Sequence, residues 1–157
     1  MIKTLSRLWF YGLEDSATVD CLDLEISDPY AKYAQTFAPD NSLYLFHCRG
    51  VLYHLTRPLD YLQAMTMLKP EFIYINTQVA SPEQADKLFY HELGTFSVFH
   101  YREPGRSAPF AGTQNHAFWL TEEGLRRVLD SLGYGQILFS RIRYERNGLR
   151  SEILVAK

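Results

Sequence analysis

The sequence feature that most constrains the fold is a helical segment enclosed by two apolar runs. Residues 42–48 form a near-continuous apolar run, and residues 72–75 form a second one. Between them Pro58 suits the first position of a helix, whose apolar stripe continues until Lys69-Pro70. Continuous apolar runs are typical of strands that are covered on both faces of a sheet. The segment therefore predicts a strand, a helix and a second strand.

The rest of the sequence continues this alternation. The patterns predict a helix over 3–11, a strand over 17–24, a helix beginning after Thr121, and strands over 136–144 and 149–155. Residues 80–120 show little regular pattern apart from a helix expected over 82–90. Because strands alternate with helices, we expect an α/β fold with a mostly parallel, three-layer sheet. The Asn147-Gly148 pair between the last two strands predicts a terminal antiparallel hairpin.

Composition narrows the function classes. The chain of 157 residues has a net charge of −2, so no overall field attracts it to nucleic acid or to an anionic membrane. The sequence has a single basic cluster, formed by Arg141, Arg143, Arg146 and Arg150. This cluster is more typical of the solvated face of a hairpin than of a phosphate-binding stripe. No apolar run approaches the roughly 18 residues of a membrane span. No signal peptide is recognisable, and two isolated cysteines are typical of a reducing cytoplasm.

Three segments resemble a known family. The sequence HCRGVLYHLTRPLDYLQAMTMLKPEFIYINTQV, residues 47–79, is similar to the region of class I S-adenosylmethionine-dependent methyltransferases from the fourth to the fifth strand. The sequence NHAFWLTEEGLRRVLDSLGY, residues 115–134, resembles a later segment of the branch that includes tRNA wobble-uridine carboxymethyl-type transferases. ATVDCLDLEIS, residues 17–27, looks like the third strand. The resemblance implies a Rossmann-like fold and S-adenosylmethionine as cofactor.

The chain departs from the family at its N-terminal end. The first two family strands and the glycine-rich cofactor loop between them have no counterpart, and the sequence contains no GxGxG. The chain is therefore expected to be one incomplete methyltransferase-like domain, residues 1–157, with residues 80–120 as a substrate-side insertion or lid. The expected loss leaves the strand over 42–48 without its neighbour on one side. Three outcomes stay open: residues 17–24 close up against residues 42–48, a second copy or a complementing subunit supplies the pairing at this sheet edge, or the chain is a fragment that needs the rest of its gene.

Candidate site residues follow from the position of the motifs. Ligands of open α/β sheets lie beyond the carboxyl ends of the strands. The resemblance implies cofactor-binding roles for five residues, namely Asp23, Leu24, Cys48, Arg49 and Gly50. Tyr53 and His54 are candidate catalytic residues, because histidine titrates near neutrality and can orient or deprotonate a methyl acceptor. No histidine spacing indicates a metal site.

Each site residue also has a structural interpretation. Gly50 serves equally well as a helix-entry turn, Asp23 as a solvated strand-end carboxylate, and Tyr53 with His54 as packing at the strand-to-helix junction. The sequence does not choose between a small molecule and tRNA as the methyl acceptor. It leaves open two functions, namely an impaired or partner-dependent methyltransferase and a non-catalytic interaction subunit.

Overall fold

The computed structural model describes residues 45–109, 111–146 and 148–157. Its strands are β1 (Leu45–Arg49), β2 (Phe72–Val79), β3 (Lys87–His91), β4 (Gly94–Arg102), β5 (His116–Leu120), β6 (Gln136–Glu145) and β7 (Gly148–Ala156). Its helices are α1 (Pro58–Thr66) and α2 (Glu122–Ser131), with short 3-10 turns at Leu52–His54 and Gly105–Ser107. The helix and strand predicted over residues 3–24 lie outside the described residues.

The main sheet has four strands in the order β1-β2-β7-β6. Strands β1 and β2 run parallel, whereas β7 is antiparallel to both β2 and β6. The predicted terminal hairpin is confirmed by the pairing of β6 with β7. The predicted fold class is wrong, because antiparallel pairs predominate among the described strands and the sheet is mixed. Because β7 follows β6 through a tight hairpin, it runs back antiparallel, and its place between β2 and β6 makes the sheet mixed.

A second sheet is formed by a segment for which the sequence predicts little regular structure. Strands β3, β4 and β5 pair antiparallel in this order. The helix predicted over 82–90 is therefore wrong, since its second half is β3. Gly94 has φ +128°, a conformation that glycine adopts readily, and it pairs with His91 where β4 begins. An isolated parallel bridge between Ala80 and Thr121 connects the ends of β2 and β5.

One apolar core joins both helices to the main sheet. The core contains Leu59, Leu62 and Met65 from α1, Leu125, Val128 and Leu129 from α2, Ile73 and Ile75 from β2, and Ile153 and Val155 from β7. Phe96 and Val98 of the second sheet join the same cluster. The full burial of these side chains is the main source of stability, at about 1.5–3 kcal/mol each before conformational entropy is subtracted.

Helix boundaries follow the local signals. Pro58 occupies the first turn of α1. The Thr121 hydroxyl accepts a hydrogen bond from the Gly124 amide at 3.0 Å and so caps α2, as the sequence predicts. After α2, the buried Tyr134 hydroxyl donates to the Pro70 carbonyl at 2.7 Å and ties together the loops that follow the two helices.

The other face of the main sheet carries ion pairs. Glu152 accepts hydrogen bonds from the Tyr74 hydroxyl at 2.6 Å and from Arg141 and Arg143 at 3.0 and 2.7 Å. The hydrogen bond from Tyr74, together with Arg141, lowers the pKa of Glu152 despite a smaller opposing effect of burial. Strand β1 is less covered than its apolar sequence predicts, because Leu45 is 42% exposed and only Cys48 is buried.

Candidate functional site

The candidate site begins at the carboxyl end of β1. The Gly50 amide donates to the Asn76 carbonyl at 3.0 Å and continues the pairing of β1 with β2 for one residue. Gly50 has φ +74°, which favours glycine. A Cβ placed on Gly50 would meet no atom within 4 Å, so the space in front of it is open. This glycine therefore turns the chain without being pressed against other parts of the protein.

Cys48 and Arg49 flank this turn with opposite environments. The Cys48 side chain is buried, and desolvation raises the pKa of its thiol although Tyr61 and the Leu52 backbone oppose the effect. Arg49 is exposed. Cys48 can therefore form part of the wall of a site, while the Arg49 guanidinium is available at its rim.

Tyr53 is held on several sides. Its carbonyl accepts a hydrogen bond from the Trp119 indole nitrogen at 2.8 Å, and the two rings make an edge contact. The His54 ring lies 4.1 Å from the Tyr53 ring, centroid to centroid. The cavity between Tyr53, Trp119 and β2 measures only ≈ 10 Å³, which is too small for a ligand. Tyr53 therefore packs the junction on its Trp119 side.

Arg150 of β7 connects Tyr53 to β2. Its guanidinium carbon lies 5.6 Å from the centroid of the Tyr53 ring, and it donates to the Asn76 side-chain oxygen at 2.8 Å and to Glu145 at 2.7 Å. Burial lowers the pKa of the Arg150 guanidinium, but the hydrogen bond and charge of Glu145, with a smaller contribution from Tyr53, outweigh it and raise the pKa. Arg150 is thus a fixed cation beside the end of β2.

His54 forms a hydrogen bond with a buried carboxylate. Its Nδ1 lies 2.7 Å from Oε1 of Glu103, whose side chain is only 3% exposed, whereas the His54 side chain is 21% exposed. The second oxygen, Oε2, accepts the Gly112 amide at 3.4 Å. A Cβ on Gly112 would lie 2.7 Å from the His54 carbonyl oxygen, so no larger residue fits without movement. The segment after β4 therefore packs closely against His54.

The structure brings together five of the seven predicted site residues. Cys48, Arg49, Gly50, Tyr53 and His54 follow one another from the end of β1 through the 3-10 turn. Asp23 and Leu24 lie outside the described residues. Sequence reasoning missed Glu103, Gly112, Asn76 and Arg150. Each is distant in sequence from the residue that it contacts, and no local spacing could have found it.

Three further findings concern the described residues. A cleft of ≈ 600 Å³ lies beside the first turn of α2 and is bordered by Ala80, Ser97 and Glu122, on a different part of the surface from His54. In the described part of the chain, no three His, Cys, Asp or Glu side chains converge as they would around a metal ion. No helix within the described residues is long and apolar enough to cross a membrane.

Comparison with known proteins identifies solved structures with a similar fold. No family model matches the sequence, and no curated protein matches it. Two solved structures of the N-terminal domain of EvdMO1 are similar. One was crystallised in the presence of SAH and D-fucose (TM-score 0.67, 22% identity, 100% of this chain and 63% of that one). The other has SAH bound (TM-score 0.67, 23% identity, 98% of this chain and 60% of that one).

The chain spans about 60% of the length of these chains. At this level of identity the similarity shows a common fold. The protein therefore has the fold of a domain that, in EvdMO1, has been crystallised with the demethylated product of S-adenosylmethionine.

Proposed function

We propose that this protein is an S-adenosylmethionine-dependent methyltransferase-type domain that transfers a methyl group to an acceptor still to be identified. The observation that carries the proposal is the fold shared over the whole chain with a domain crystallised with SAH. The position of the predicted site supports it, since Arg49 ends β1, a strand in a parallel pair, and Gly50 follows directly.

The described residues at the end of β1 would line one side of a nucleoside cofactor. The open space at Gly50 leaves room for a ligand atom where any side chain would otherwise project. Arg49 would pair with the carboxylate of the cofactor, Cys48 would close the wall, and Asp23 and Leu24 would contact the adenine. When bound, S-adenosylmethionine supplies a methyl group on a positively charged sulfur, which is transferred to a nucleophile. Methyl transfer needs mainly in-line positioning of the two reactants.

The acceptor would approach from the side of His54. Tyr53 is restrained by Trp119 and Arg150, so its role would be to fix the position of the His54 ring. The second sheet, which lies within residues 80–120, would form the substrate-side wall. Its strand β5 packs against the 3-10 turn through Trp119, and the Phe118 amide donates to the Leu55 carbonyl at 3.1 Å.

Calorimetric titration of the protein with SAH tests the proposal. We expect binding tighter than about 100 μM, equivalent to roughly −5.5 kcal/mol. Replacing Arg49→Ala should weaken binding about tenfold, or ~1.4 kcal/mol, through the lost charge-assisted contact. Arg102→Ala is the matched control, because Arg102 is also exposed but lies at the end of β4.

The alternative function defines the opposite result. A non-catalytic interaction subunit would give no heat with SAH at millimolar concentration. Equal weakening by Arg49→Ala and Arg102→Ala would instead show binding by general charge, and it would remove the cofactor site from the end of β1.

A further inference from the structure

We infer that Glu103 is the positioning residue for His54 and that together they select a neutral hydroxyl group as the methyl acceptor. This inference deepens the proposed function and rests on it. It depends on a pairing that joins the 3-10 turn after β1 to the segment after β4, two parts of the chain 49 residues apart.

The Glu103 side chain lies in a buried and fully paired environment. The carboxylate is nearly fully buried, and each of its oxygens has a partner, Nδ1 of His54 for one and the Gly112 amide for the other. The Glu103 amide itself donates to the Asn115 carbonyl at 3.0 Å, so the backbone is fixed as well. A buried carboxylate costs free energy unless it is paired. Among the described residues, His54 is the only titratable partner of the Glu103 carboxylate.

This contact decides which nitrogen of His54 carries the proton. An ionised carboxylate can only accept hydrogen bonds, so Nδ1 of His54 must donate. The neutral imidazole then holds its one proton on Nδ1 and has a free electron pair on Nε2. Glu103 therefore prepares Nε2 as a base, and its negative charge stabilises the imidazolium that forms when Nε2 takes a proton.

A base at this position matters only for some acceptors. A neutral hydroxyl gives its proton to Nε2 of His54 while its oxygen forms the bond to the methyl carbon. The bond between carbon and sulfur breaks with its electron pair on sulfur, and the products are a methyl ether, a thioether and the His54 imidazolium. A carboxylate acceptor already carries the negative charge and needs no base. The pair therefore favours a hydroxyl over a carboxylate.

Nitrogen-15 NMR of the histidine rings at alkaline pH tests the positioning role without cofactor or acceptor. We expect neutral His54 in the wild-type protein to carry its proton on Nδ1. Glu103→Ala should shift the proton toward Nε2, whereas Glu103→Gln should keep it on Nδ1, because the amide oxygen still accepts. Asp60→Asn is the control, since it alters the contact of another histidine, His91, at 3.6 Å.

Rates of methyl transfer from labelled S-adenosylmethionine distinguish the effect of the Glu103 charge from the effect of its hydrogen bond to His54. With D-fucose as the hydroxyl probe, Glu103→Gln should lower kcat by about 10–100-fold with KM little changed, because it lacks the charge that stabilises the imidazolium. Acetate serves as the carboxylate probe. A wild-type His54 protonated on Nε2, or a tautomer unmoved by Glu103→Ala, would overturn the inference, and so would preferential labelling of acetate.

The two proposals fail in different ways. Absence of SAH binding with the Nδ1 tautomer intact would contradict the methyltransferase proposal. Normal SAH binding with the Nε2 tautomer would contradict only the role of Glu103.

Discussion

Two histidine–carboxylate pairs in this protein have the same chemistry and different surroundings. In the first, Nδ1 of His54 meets Glu103 at 2.7 Å, and the carboxylate is 3% exposed. In the second, Nε2 of His91 lies 3.6 Å from Asp60, whose side chain is 38% exposed and also pairs with Arg57 three residues earlier. The first carboxylate also accepts the backbone amide of Gly112, whereas the second is bound by the exposed side chain of Arg57.

The difference lies in the carboxylate: Glu103 is buried and accepts a backbone amide, whereas Asp60 is partly exposed. The His91 side chain is itself only 10% exposed and accepts the Leu93 amide on Nδ1. Exposed ion pairs contribute little because water screens them and both side chains lose entropy. A buried pair cannot exchange its partner for water, so its geometry is fixed.

Gly112→Ala should disrupt the His54–Glu103 pair most strongly. The added methyl group would lie 2.7 Å from the His54 carbonyl oxygen and 3.3 Å from the His54 Cβ, so the backbone must move. We expect a loss of about 2–3 kcal/mol in the free energy of unfolding, measured by urea denaturation. Gly133→Ala is a control for glycine replacement, since no atom lies within 4 Å there, although its φ of +86° adds strain. A loss for Gly112→Ala no larger than the control would contradict the close contact.

Glu103→Ala should destabilise the protein by about 1–2 kcal/mol, because it leaves His54 Nδ1 and the Gly112 amide without their acceptor. Asp60→Ala, the matched change in the exposed pair, should cost about 0.5 kcal/mol or less. Thermal and urea unfolding of both variants give the difference. Equal losses for the two variants would show that burial does not distinguish the pairs.

Glu152 offers a third carboxylate and a test by pH. Its pKa is lowered, first by the hydrogen bond from Tyr74 and further by Arg141. A lowered pKa in the folded state stabilises the protein above the unfolded-state value of about 4.3, and this contribution is lost as the pH falls through the folded-state pKa. The stability difference between wild type and Glu152→Gln should therefore shrink as urea unfolding is repeated from pH 7 to pH 3. A constant difference would contradict the assigned interactions.

Local signals in the sequence predicted a large part of the fold. Pro58 and Thr121 mark the starts of the two helices, and Asn147-Gly148 marks the terminal hairpin, because each signal depends on the residues directly beside it. Leu88 and Tyr90 of β3 led to the wrong prediction of a helix over 82–90. Both are large and exposed, at 57% and 75%, so the strand shows no clean alternation between an apolar and a polar face.

The candidate site was predictable only in its contiguous part. The segment from Cys48 to His54 could be found because one strand end and one turn place these residues together. Glu103 and Arg150 reach the site through the pairing of β4 and β7 with other strands, and the sequence does not encode that pairing in a short pattern. The fold class was wrong for the same reason, since strand direction depends on contacts between distant segments.

We propose that a nucleoside cofactor binds at the carboxyl ends of β1 and β2. Amide NMR spectra recorded during titration with SAH test this proposal. We expect saturable shifts at Arg49, Gly50 and Asn76, with little change at the end of α2. Shifts confined to the cleft beside the first turn of α2, or no shifts at millimolar SAH, would contradict it.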